Sequence, residues 1–256
     1  MRVGAFMSGS GTNIMKLIEL EKEIKAVKGV SPFEVVFIFS DRSDGNSAGE
    51  KIACENSLPY FSHDIRSFYR ARSLKRSVTA PEGMEVREEY DSVAKKLVDA
   101  FEINIIALGG YMSYITLKKC VNVHPADLSI RLPDGRRRYV GDNAVYDAII
   151  SGENMLRAST LWTDEGVDTG PLLMVSEALP VELPQPLEIL KKDKLRLLEV
   201  VDKHQERLKE RGDWNILPLT IEMIAMGRFG FDEDRRVYVD NIPAPDGYRA
   251  WEAGLK

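Results

Sequence analysis

An amide and an imidazole stand two residues apart at the end of an apolar run, in VNVHPADL, residues 121–128. On an extended chain the side chains of Asn122 and His124 point to the same face. Pro125 follows and ends the predicted strand. An amide can donate a hydrogen bond to an oxyanion, and an imidazole can take up or release a proton. The pair is therefore a candidate for acid–base chemistry, although a single histidine at a strand end is more often structural.

A carboxylate that could serve this imidazole lies further along the chain, in DEGVDTGP, residues 164–171. Acidic residues bracket the glycines there, and the ordinary interpretation of this pattern is a solvated turn. Asp168 gains a chemical role only if the fold brings it to His124, because an adjacent negative charge raises the pKa of an imidazole. The sequence alone leaves open whether the two side chains meet.

A third candidate is the glycine-rich segment MSGSGTNI, residues 7–14. It lies between an apolar run and a helical pattern, where the free backbone N–H groups of a helix N-terminus can bind an anion. Ile14 takes the place of the third glycine of a dinucleotide fingerprint, and no Lys-Ser/Thr pair follows as in a P-loop. A phosphate-binding turn and a merely tight turn both fit, and the side-chain donors of Thr12 and Asn13 favour the phosphate.

The elements that must position these residues alternate along the chain. Short apolar runs predict strands at 3–7, 34–39, 103–108, 121–124, 158–163 and 172–175, and helical patterns cover 13–28, 49–56, 85–101 and 141–151. This alternation predicts the α/β class, with a Rossmann-like open, mostly parallel sheet flanked by helices. Residues 66–84 are rich in Arg and Ser without a clear period, and we predict an extended loop there.

The sequence pattern changes at about residue 183. Residues 187–212 predict one long charged helix with an apolar stripe, followed by a last helix at 216–227 and a hairpin at 229–240. The stripe is Leu187, Leu190, Leu195, Leu198 and Val201. We predict an α/β domain over 1–182 and a helical and hairpin extension over 183–256 packed on the same domain. Packing on its own sheet and packing on a second subunit both explain the stripe, so a homodimer is one option.

The bulk composition is that of an ordinary globular protein, with 44% apolar and 29% charged residues among 256. The net charge of −5 provides no positive field for nucleic acid or an anionic membrane, and we expect neither as a partner. Three histidines and two cysteines are scattered, so we predict no metal site. No apolar run approaches a membrane span, and we expect a cytoplasmic protein with reduced thiols.

The candidate segments occur in the order SGSGTN, LGGYM, NVHP, DTGP and IPAPDGY. In this order and composition the chain resembles the folate-dependent formyltransferases. NxHP with a downstream DxGP is typical of that superfamily, whereas the SGxGTN start and the IPAPDGY end resemble the branch that acts on glycinamide ribonucleotide. The resemblance covers most of residues 1–175 and resumes at about 213–248.

The resemblance implies a role for each matching residue. Asn122, His124 and Asp168 would be the catalytic trio, and the turn residues Gly11, Thr12 and Asn13 would hold the substrate phosphate. Arg87 would contact the folate near its glutamate tail, and Asp213 would lie near the amine end of the substrate. Two segments would surround the pterin: Met112, Ser113, Tyr114 and Ile115 would line its pocket, and Asp164, Glu165, Gly166, Val167 and Asp168 would form the loop that closes over it.

The reaction implied by the resemblance is formyl transfer from 10-formyltetrahydrofolate to the amine of glycinamide ribonucleotide in purine biosynthesis. Asn122 and protonated His124 would stabilise the oxyanion of a tetrahedral intermediate, and His124 would protonate the departing tetrahydrofolate nitrogen. Asp168 would favour the charged imidazole. No metal and no covalent enzyme intermediate are required.

Two other functions fit the sequence. The chain could formylate another small amine such as an amino sugar nucleotide, or it could be a non-catalytic relative that binds folate. Formylation of methionyl-tRNA is disfavoured, because an enzyme of that kind is expected to carry a basic RNA-binding module, whereas the C-terminal part of this chain is helical and acidic. The missing third glycine disfavours a nicotinamide-dependent dehydrogenase.

Several segments depart from the family pattern. The segment after NVHP, residues 126–143, is longer and carries Arg131, Arg136, Arg137 and Arg138. Ser113 takes the place of the usual arginine after the pterin-pocket methionine, and Leu161 or Trp162 takes the place of a histidine. Residues 66–84 and 183–212 look like insertions. The sequence therefore supports the formyl-donor half of the reaction better than the acceptor half.

Overall fold

The structure is a computed structural model that describes residues 1–78, 80–249 and 251. The chain divides into two compact units, Met1–Val121 and Asn122–Lys256, with the division inside one strand. This division differs from the domain boundary predicted between residues 182 and 183, which stays a prediction. Residues 250 and 252–256 of the predicted extension lie outside the described residues.

The first unit alternates strands and helices from its start. Its strands hydrogen bond in the order β3-β2-β1-β4, with the beginning of β5 next to β4. The pairs β1–β2, β1–β4 and β2–β3 are all parallel. The elements are β1 Arg2–Met7, α1 Thr12–Lys28, β2 Glu34–Ser40, α2 Gly49–Glu55, β3 Tyr60–Ser62, α3 Ile65–Ala71, α4 Pro81–Ala100, β4 Ile105–Leu108 and β5 Cys120–His124.

The central strands of this unit are apolar along their whole length because both of their faces are covered. Every residue of β4 is buried, as are the last five residues of β1. One helix, α1, buries Ile14, Leu17, Ile18 and Ile24, and α4 contributes Ala94 to the aromatic core around Phe6 and Phe37. A continuous apolar run is what a parallel strand between two helical layers requires.

The second unit holds the end of β5 and a larger share of antiparallel pairing. Here β5 is followed in the sheet by β7 and β8, and these last two strands are antiparallel. Separate small sheets are formed by β6 with β9 and by β10, β11 and β12. The remaining elements are α5 Ala144–Ile150, β6 Met155–Leu156, β7 Ser159–Trp162, β8 Leu172–Val175, β9 Leu179–Pro180, α6 Leu187–Leu190, α7 Lys194–Leu208, a π-helical turn Lys209–Asp213, α8 Trp214–Ala225, β10 Phe229–Phe231, β11 Val237–Val239 and β12 Ile242–Pro243.

The predicted fold class is confirmed, as a mostly parallel sheet flanked by helices with antiparallel strands in the C-terminal part. The predicted loop at 66–84 is wrong in part, because α3 occupies Ile65–Ala71 and α4 already begins at Pro81. The carboxylate of Asp64 caps α3 by accepting from the Ser67 N–H at 2.7 Å, and Phe68 and Tyr69 are buried against Tyr90. The buried residues of α3, Ile65, Phe68 and Tyr69, have the i, i+3, i+4 spacing of a helix, but they cover little more than one turn and lie among Arg and Ser residues.

The long helix predicted at 187–212 is also wrong, because the chain breaks between α6 and α7. Asp193 caps α7 by accepting from the Arg196 N–H at 3.1 Å. Counting a helical period through this break gives the stripe the wrong phase, so Leu195 is 77% exposed whereas Leu197 is 2% exposed.

Within the described ranges, no helix has the length and apolar character needed to span a bilayer. A homodimer stays a prediction.

Candidate active site

Strand β5 delivers the amide and the imidazole to its carboxyl end. His124 is buried and Asn122 is half-buried. They alternate with Val123, so the two polar side chains share one face of the strand. The chain turns at once after the strand, where the Ala126 N–H donates to the His124 carbonyl at 2.9 Å. The strand therefore ends with its polar face at the start of a loop, as the spacing in the sequence predicts.

The remote carboxylate meets the imidazole. Asp168 Oδ2 lies 3.4 Å from His124 Nδ1, and the two side chains are 11% and 6% exposed. Asp168 has a left-handed backbone, with φ 54°, and its Oδ2 also accepts from the Gly141 N–H at 2.8 Å. The structure thus brings His124 together with the member of the predicted trio that is remote in sequence.

The other ring nitrogen of His124 has a partner too. Nε2 lies 3.1 Å from the carbonyl oxygen of Tyr139, a geometry that requires an N–H at this position. Tyr139 is itself buried and its hydroxyl donates to Glu153 at 2.6 Å. The imidazole is therefore fixed between a backbone carbonyl on one side and a carboxylate on the other.

The electrostatic environment of His124 favours the neutral imidazole. Burial lowers the pKa of His124 below its usual value, and the positive charge of Arg137 acts in the same direction. The charges of Asp168 and Asp142 and the hydrogen bond to the Tyr139 carbonyl raise the pKa without cancelling the effect of burial. The sequence predicted the sign of the Asp168 contribution, but not a desolvation cost that outweighs it. A resting imidazole that is mostly neutral at neutral pH follows from this balance.

The predicted pterin loop forms a tight turn held by its own first residue. The Asp164 carboxylate accepts from the Gly166 N–H at 3.1 Å and from the Thr169 hydroxyl at 2.7 Å. Glu165, Gly166 and Val167 are exposed at the tip of this turn. Residues 164–167 thus present a loop surface, while Asp168 at its end faces inward to His124.

Three residues that sequence reasoning did not place at the site hold the pair in position. Gly141 and Tyr139 contact Asp168 and His124 through their backbone, as described above. Arg137 donates from Nη1 to the Asp168 carbonyl and from Nη2 to the Gly170 carbonyl, the latter at 2.7 Å. The segment at 136–138 was predicted only as an arginine-rich departure, and the ordinary interpretation of a local basic run is a solvated face. Backbone contacts leave no signal in a single sequence.

In the first unit, the glycine-rich turn begins helix α1. Gly11 has a left-handed backbone with φ 66°, and a Cβ at this position would lie 2.6 Å from the Met7 side chain. No side chain caps the helix, so N–H groups of its first turn stay available to an anion. Thr12 is half-buried and Asn13 is buried directly behind the turn. The geometry fits an anion-binding turn, and the positive φ favours glycine at position 11.

The predicted folate residues of the first unit differ in their exposure. Met112 is 71% exposed, and its N–H donates to the Ser8 hydroxyl at 2.9 Å. The Ser113 hydroxyl donates to the Asp41 carboxylate. Tyr114 is half-buried and Ile115 is part of the apolar core. Of this segment, Met112 is therefore the side chain most open to a ligand.

Arg87 is buried, with an exposed fraction of 3%, and is paired with a carboxylate that sequence reasoning did not single out. Its Nε lies 3.3 Å from Asp91 Oδ2, and that oxygen also accepts from the Thr116 N–H and hydroxyl at 2.7 and 2.8 Å. The spacing of four residues on one helix, in REEYD, is the signal that could have predicted the pair. The Arg87 charge is thus neutralised inside the unit, and its predicted folate contact stays a prediction.

Asp213, the predicted acid near the substrate amine, is the last residue of the π-helical turn between α7 and α8 and is buried. The adjacent Gly212 packs closely beside the start of β7, since a Cβ there would lie 2.8 Å from the Cβ of Ala158, the residue before that strand. Among the residues that the structure describes, no group of three or more metal-ligating side chains occurs. Cys120 is buried and Cys54 is exposed.

Several known proteins resemble this chain in sequence. The sequence profile of the formyl transferase family matches residues 1–192. The trifunctional purine biosynthetic protein adenosine-3 of Chironomus tentans is 28% identical over 187 residues, which are 70% of this chain and 12% of that protein. The phosphoribosylglycinamide formyltransferase of Bacillus subtilis is 27% identical over 117 residues, 43% of this chain and 55% of that enzyme. The chain therefore spans only part of the length of these relatives.

A solved structure shows the same fold. The phosphoribosylglycinamide formyltransferase of Coxiella burnetii superimposes with a TM-score of 0.64, over 97% of this chain and 98% of that one, at 21% identity. At this level of identity the likeness concerns the fold alone.

Proposed function

The chain belongs to the formyl transferase family, and from this premise we propose that it transfers a formyl group from 10-formyltetrahydrofolate to the amine of glycinamide ribonucleotide. The observation that carries the proposal is the buried pair of His124 and Asp168 beside Asn122 at the end of β5. The names of the relatives in purine biosynthesis support this acceptor.

The proposed mechanism uses the neutral resting state of His124. The substrate amine attacks the formyl carbon, and the amide of Asn122 donates to the oxyanion that develops. His124 takes up the proton that the attacking nitrogen loses, next to the negative charge of Asp168, and returns it to the tetrahydrofolate nitrogen as that C–N bond breaks. One C–N bond forms, one breaks and one proton passes between the two nitrogens, so no further reactant is needed.

This mechanism requires one ring nitrogen of His124 to face the reactants. Because Nδ1 faces Asp168, the nitrogen available for exchange is Nε2, which lies 3.1 Å from the Tyr139 carbonyl. The bound substrates would replace that carbonyl as the partner of Nε2. The neutral ring would then carry its proton on Nδ1, as a donor to Asp168, and this leaves the Nε2 lone pair to accept the proton of the attacking nitrogen. Turnover would then include a small displacement of the loop that carries Tyr139.

Binding roles follow for both units. The turn with Gly11, Thr12 and Asn13 would hold the substrate phosphate through backbone N–H groups and side-chain donors. Met112 and the exposed turn at 164–167 would contact the folate, since both offer accessible surface. Arg87 would contact the folate and Asp213 the amine, as the resemblance implies; both side chains are buried, so each contact requires the side chain to become accessible when the ligand binds.

The test is a direct assay of purified protein with both substrates. Wild-type protein should release tetrahydrofolate and formylate the amine, and His124→Ala should lose most of the rate, by about 10²–10⁴-fold. Asp134→Asn serves as a control because Asp134 is exposed and pairs with Arg136 in the same unit. Unchanged activity in the His124 variant would contradict the assigned role.

Formylation of a different small amine is the second candidate, and the arginine-rich segment at 126–143 favours it. This segment holds Arg137 and Tyr139, which contact the Asp168 loop and His124. A screen of amines with 10-formyltetrahydrofolate as donor distinguishes the two. Turnover of an amino sugar nucleotide in place of glycinamide ribonucleotide would select the second candidate, and folate binding without turnover of any amine would indicate a non-catalytic relative.

A further inference from the structure

The guanidinium of Arg137 is bound to the backbone of the loop that carries Asp168. One donor, Nη1, reaches the carbonyl of Asp168 and the other, Nη2, reaches the carbonyl of Gly170 at 2.7 Å. The two terminal nitrogens of one planar guanidinium fork therefore bind two carbonyls of one turn. A fork of this kind fixes orientation as well as distance, which a single lysine donor cannot do.

The turn held in this way has an unfavourable backbone conformation at its functional residue. Asp168 has φ 54°, in the left-handed region that residues with a Cβ seldom adopt. In this conformation its carbonyl meets Arg137, while its carboxylate lies 3.4 Å from His124 Nδ1 and accepts from the Gly141 N–H at 2.8 Å. A conformation of this kind persists only where the surroundings fix it.

The neighbouring arginines make different contacts. Arg136 is exposed and pairs with Asp134 at 2.7 Å, and Arg138 is exposed with its guanidinium over the Tyr139 ring. The half-buried Arg137 is thus distinguished from them by what it binds. Arg136 offers a matched control, because its loss removes the same charge from the same segment.

We propose that Arg137 is a positioning residue, which fixes the turn at Asp168 so that the carboxylate faces the His124 imidazole. The inference rests on the proposed function, in which His124 and Asp168 carry the proton transfer. It adds a residue from the segment that departs from the family pattern, and it assigns that segment a task in the second unit.

Loss of Arg137 would act on His124 in two opposite ways, and this makes the proposal testable. The Arg137 charge lowers the pKa of His124, whereas the charges of Asp168 and Asp142 raise it. Removing a mere neighbouring cation would therefore raise the pKa of His124. Releasing the Asp168 carboxylate would lower it. Arg137→Lys separates the two effects, because it keeps the charge and removes the fork.

The experiment is an NMR titration of His124 in the full chain without substrates. With only three histidines in the sequence, His63→Gln and His204→Gln spectra assign the signal. We expect Arg137→Lys to lower the pKa of His124 in the wild-type background and to leave it unchanged in the Asp168→Asn background. Arg137→Gln should raise it in the Asp168→Asn background, where only the charge effect remains, and Arg136→Ala should leave it unchanged in both.

Steady-state kinetics supply the second readout. Because a small misplacement of a catalytic group can cost up to ~10²-fold in rate, kcat should fall by roughly 10–10²-fold in Arg137→Lys with a smaller change in the KM of the amine. An unchanged His124 pKa and kcat in Arg137→Lys would overturn the proposal, as would an equal pKa shift in both backgrounds. If the pKa shifts appear as expected but wild-type protein formylates no amine, the positioning contact stands and the proposed function fails.

Discussion

Asp168→Asn removes one charge from the imidazole–carboxylate pair and keeps nearly the same shape. Full unit charges at the observed 3.4 Å interact by about 5 kcal/mol at an effective dielectric constant of about 20. This is an upper limit for the loss, because the charge that His124 gains in the transition state is partial. At about 1.4 kcal/mol per power of ten, the limit corresponds to a loss of 10³–10⁴. We therefore expect kcat to fall by roughly 10²–10³-fold.

The loss should fall on kcat, because the charge on His124 develops only during the reaction. The same variant should lower the pKa of His124 further, since it removes the interaction that most opposes burial. The assay is the initial rate of tetrahydrofolate release at saturating substrates, with Asp134→Asn as the control of equal charge change. A kcat for Asp168→Asn within twofold of wild type would refute the reasoning, because the carboxylate would then have no part in the proton transfer.

Three further predictions concern the rest of the molecule. Gly11→Ala places a Cβ against Met7 at a positive φ. The free energy of unfolding in urea should therefore fall by about 1–3 kcal/mol, and the KM of the phosphorylated amine should rise. An unchanged KM would contradict the proposal that this turn binds the substrate phosphate. Asp91→Ala leaves the Arg87 charge buried without its carboxylate. The free energy of unfolding in urea should therefore fall by about 3–5 kcal/mol. A fall below about 1 kcal/mol would show that the ion pair is dispensable for stability. Burial and the Arg72 charge lower the pKa of His63, so the folded state disfavours protonation of this ring. The free energy of unfolding should therefore fall as the pH drops below about 6.5. His63→Gln should flatten that fall, and identical pH profiles of wild type and variant would refute the prediction.

Much of the fold can be predicted from the sequence because parallel strands between helical layers must be apolar throughout. The runs at 3–7 and 103–108 predict buried strands, and the structure places β1 and β4 there. Two short elements of the first unit were missed. Strand β3 has only three residues, and in α3 the helical spacing of Ile65, Phe68 and Tyr69 covers little more than one turn among Arg and Ser residues.

The candidate site could be predicted only where side chains carry it. Asn122 and His124 share a face because their spacing of two requires it on any strand. The approach of Asp168 to His124 depends on a left-handed turn and on backbone donors, which side-chain identities do not encode. Arg137 was predicted only as part of an arginine-rich departure from the family pattern for the same reason, since its partners are the carbonyls of two residues more than thirty positions away.

The direction of the His124 pKa likewise required the structure. A sequence can suggest a carboxylate neighbour, which raises an imidazole pKa. The opposing cost depends on how completely the ring is removed from water, and His124 is 5% exposed. Burial therefore decides the direction of the His124 pKa shift.

The central claim is that His124 carries a proton between two nitrogens while a formyl group moves from folate to an amine. The most direct measurement supplies 10-formyltetrahydrofolate with a ¹³C-labelled formyl carbon and glycinamide ribonucleotide, and follows the label by NMR. The label should appear on the amine at a rate that collapses in His124→Gln and is kept in Asp134→Asn. Label transfer that proceeds equally well without the imidazole, or no transfer to the amine by wild-type protein that binds folate, would contradict it.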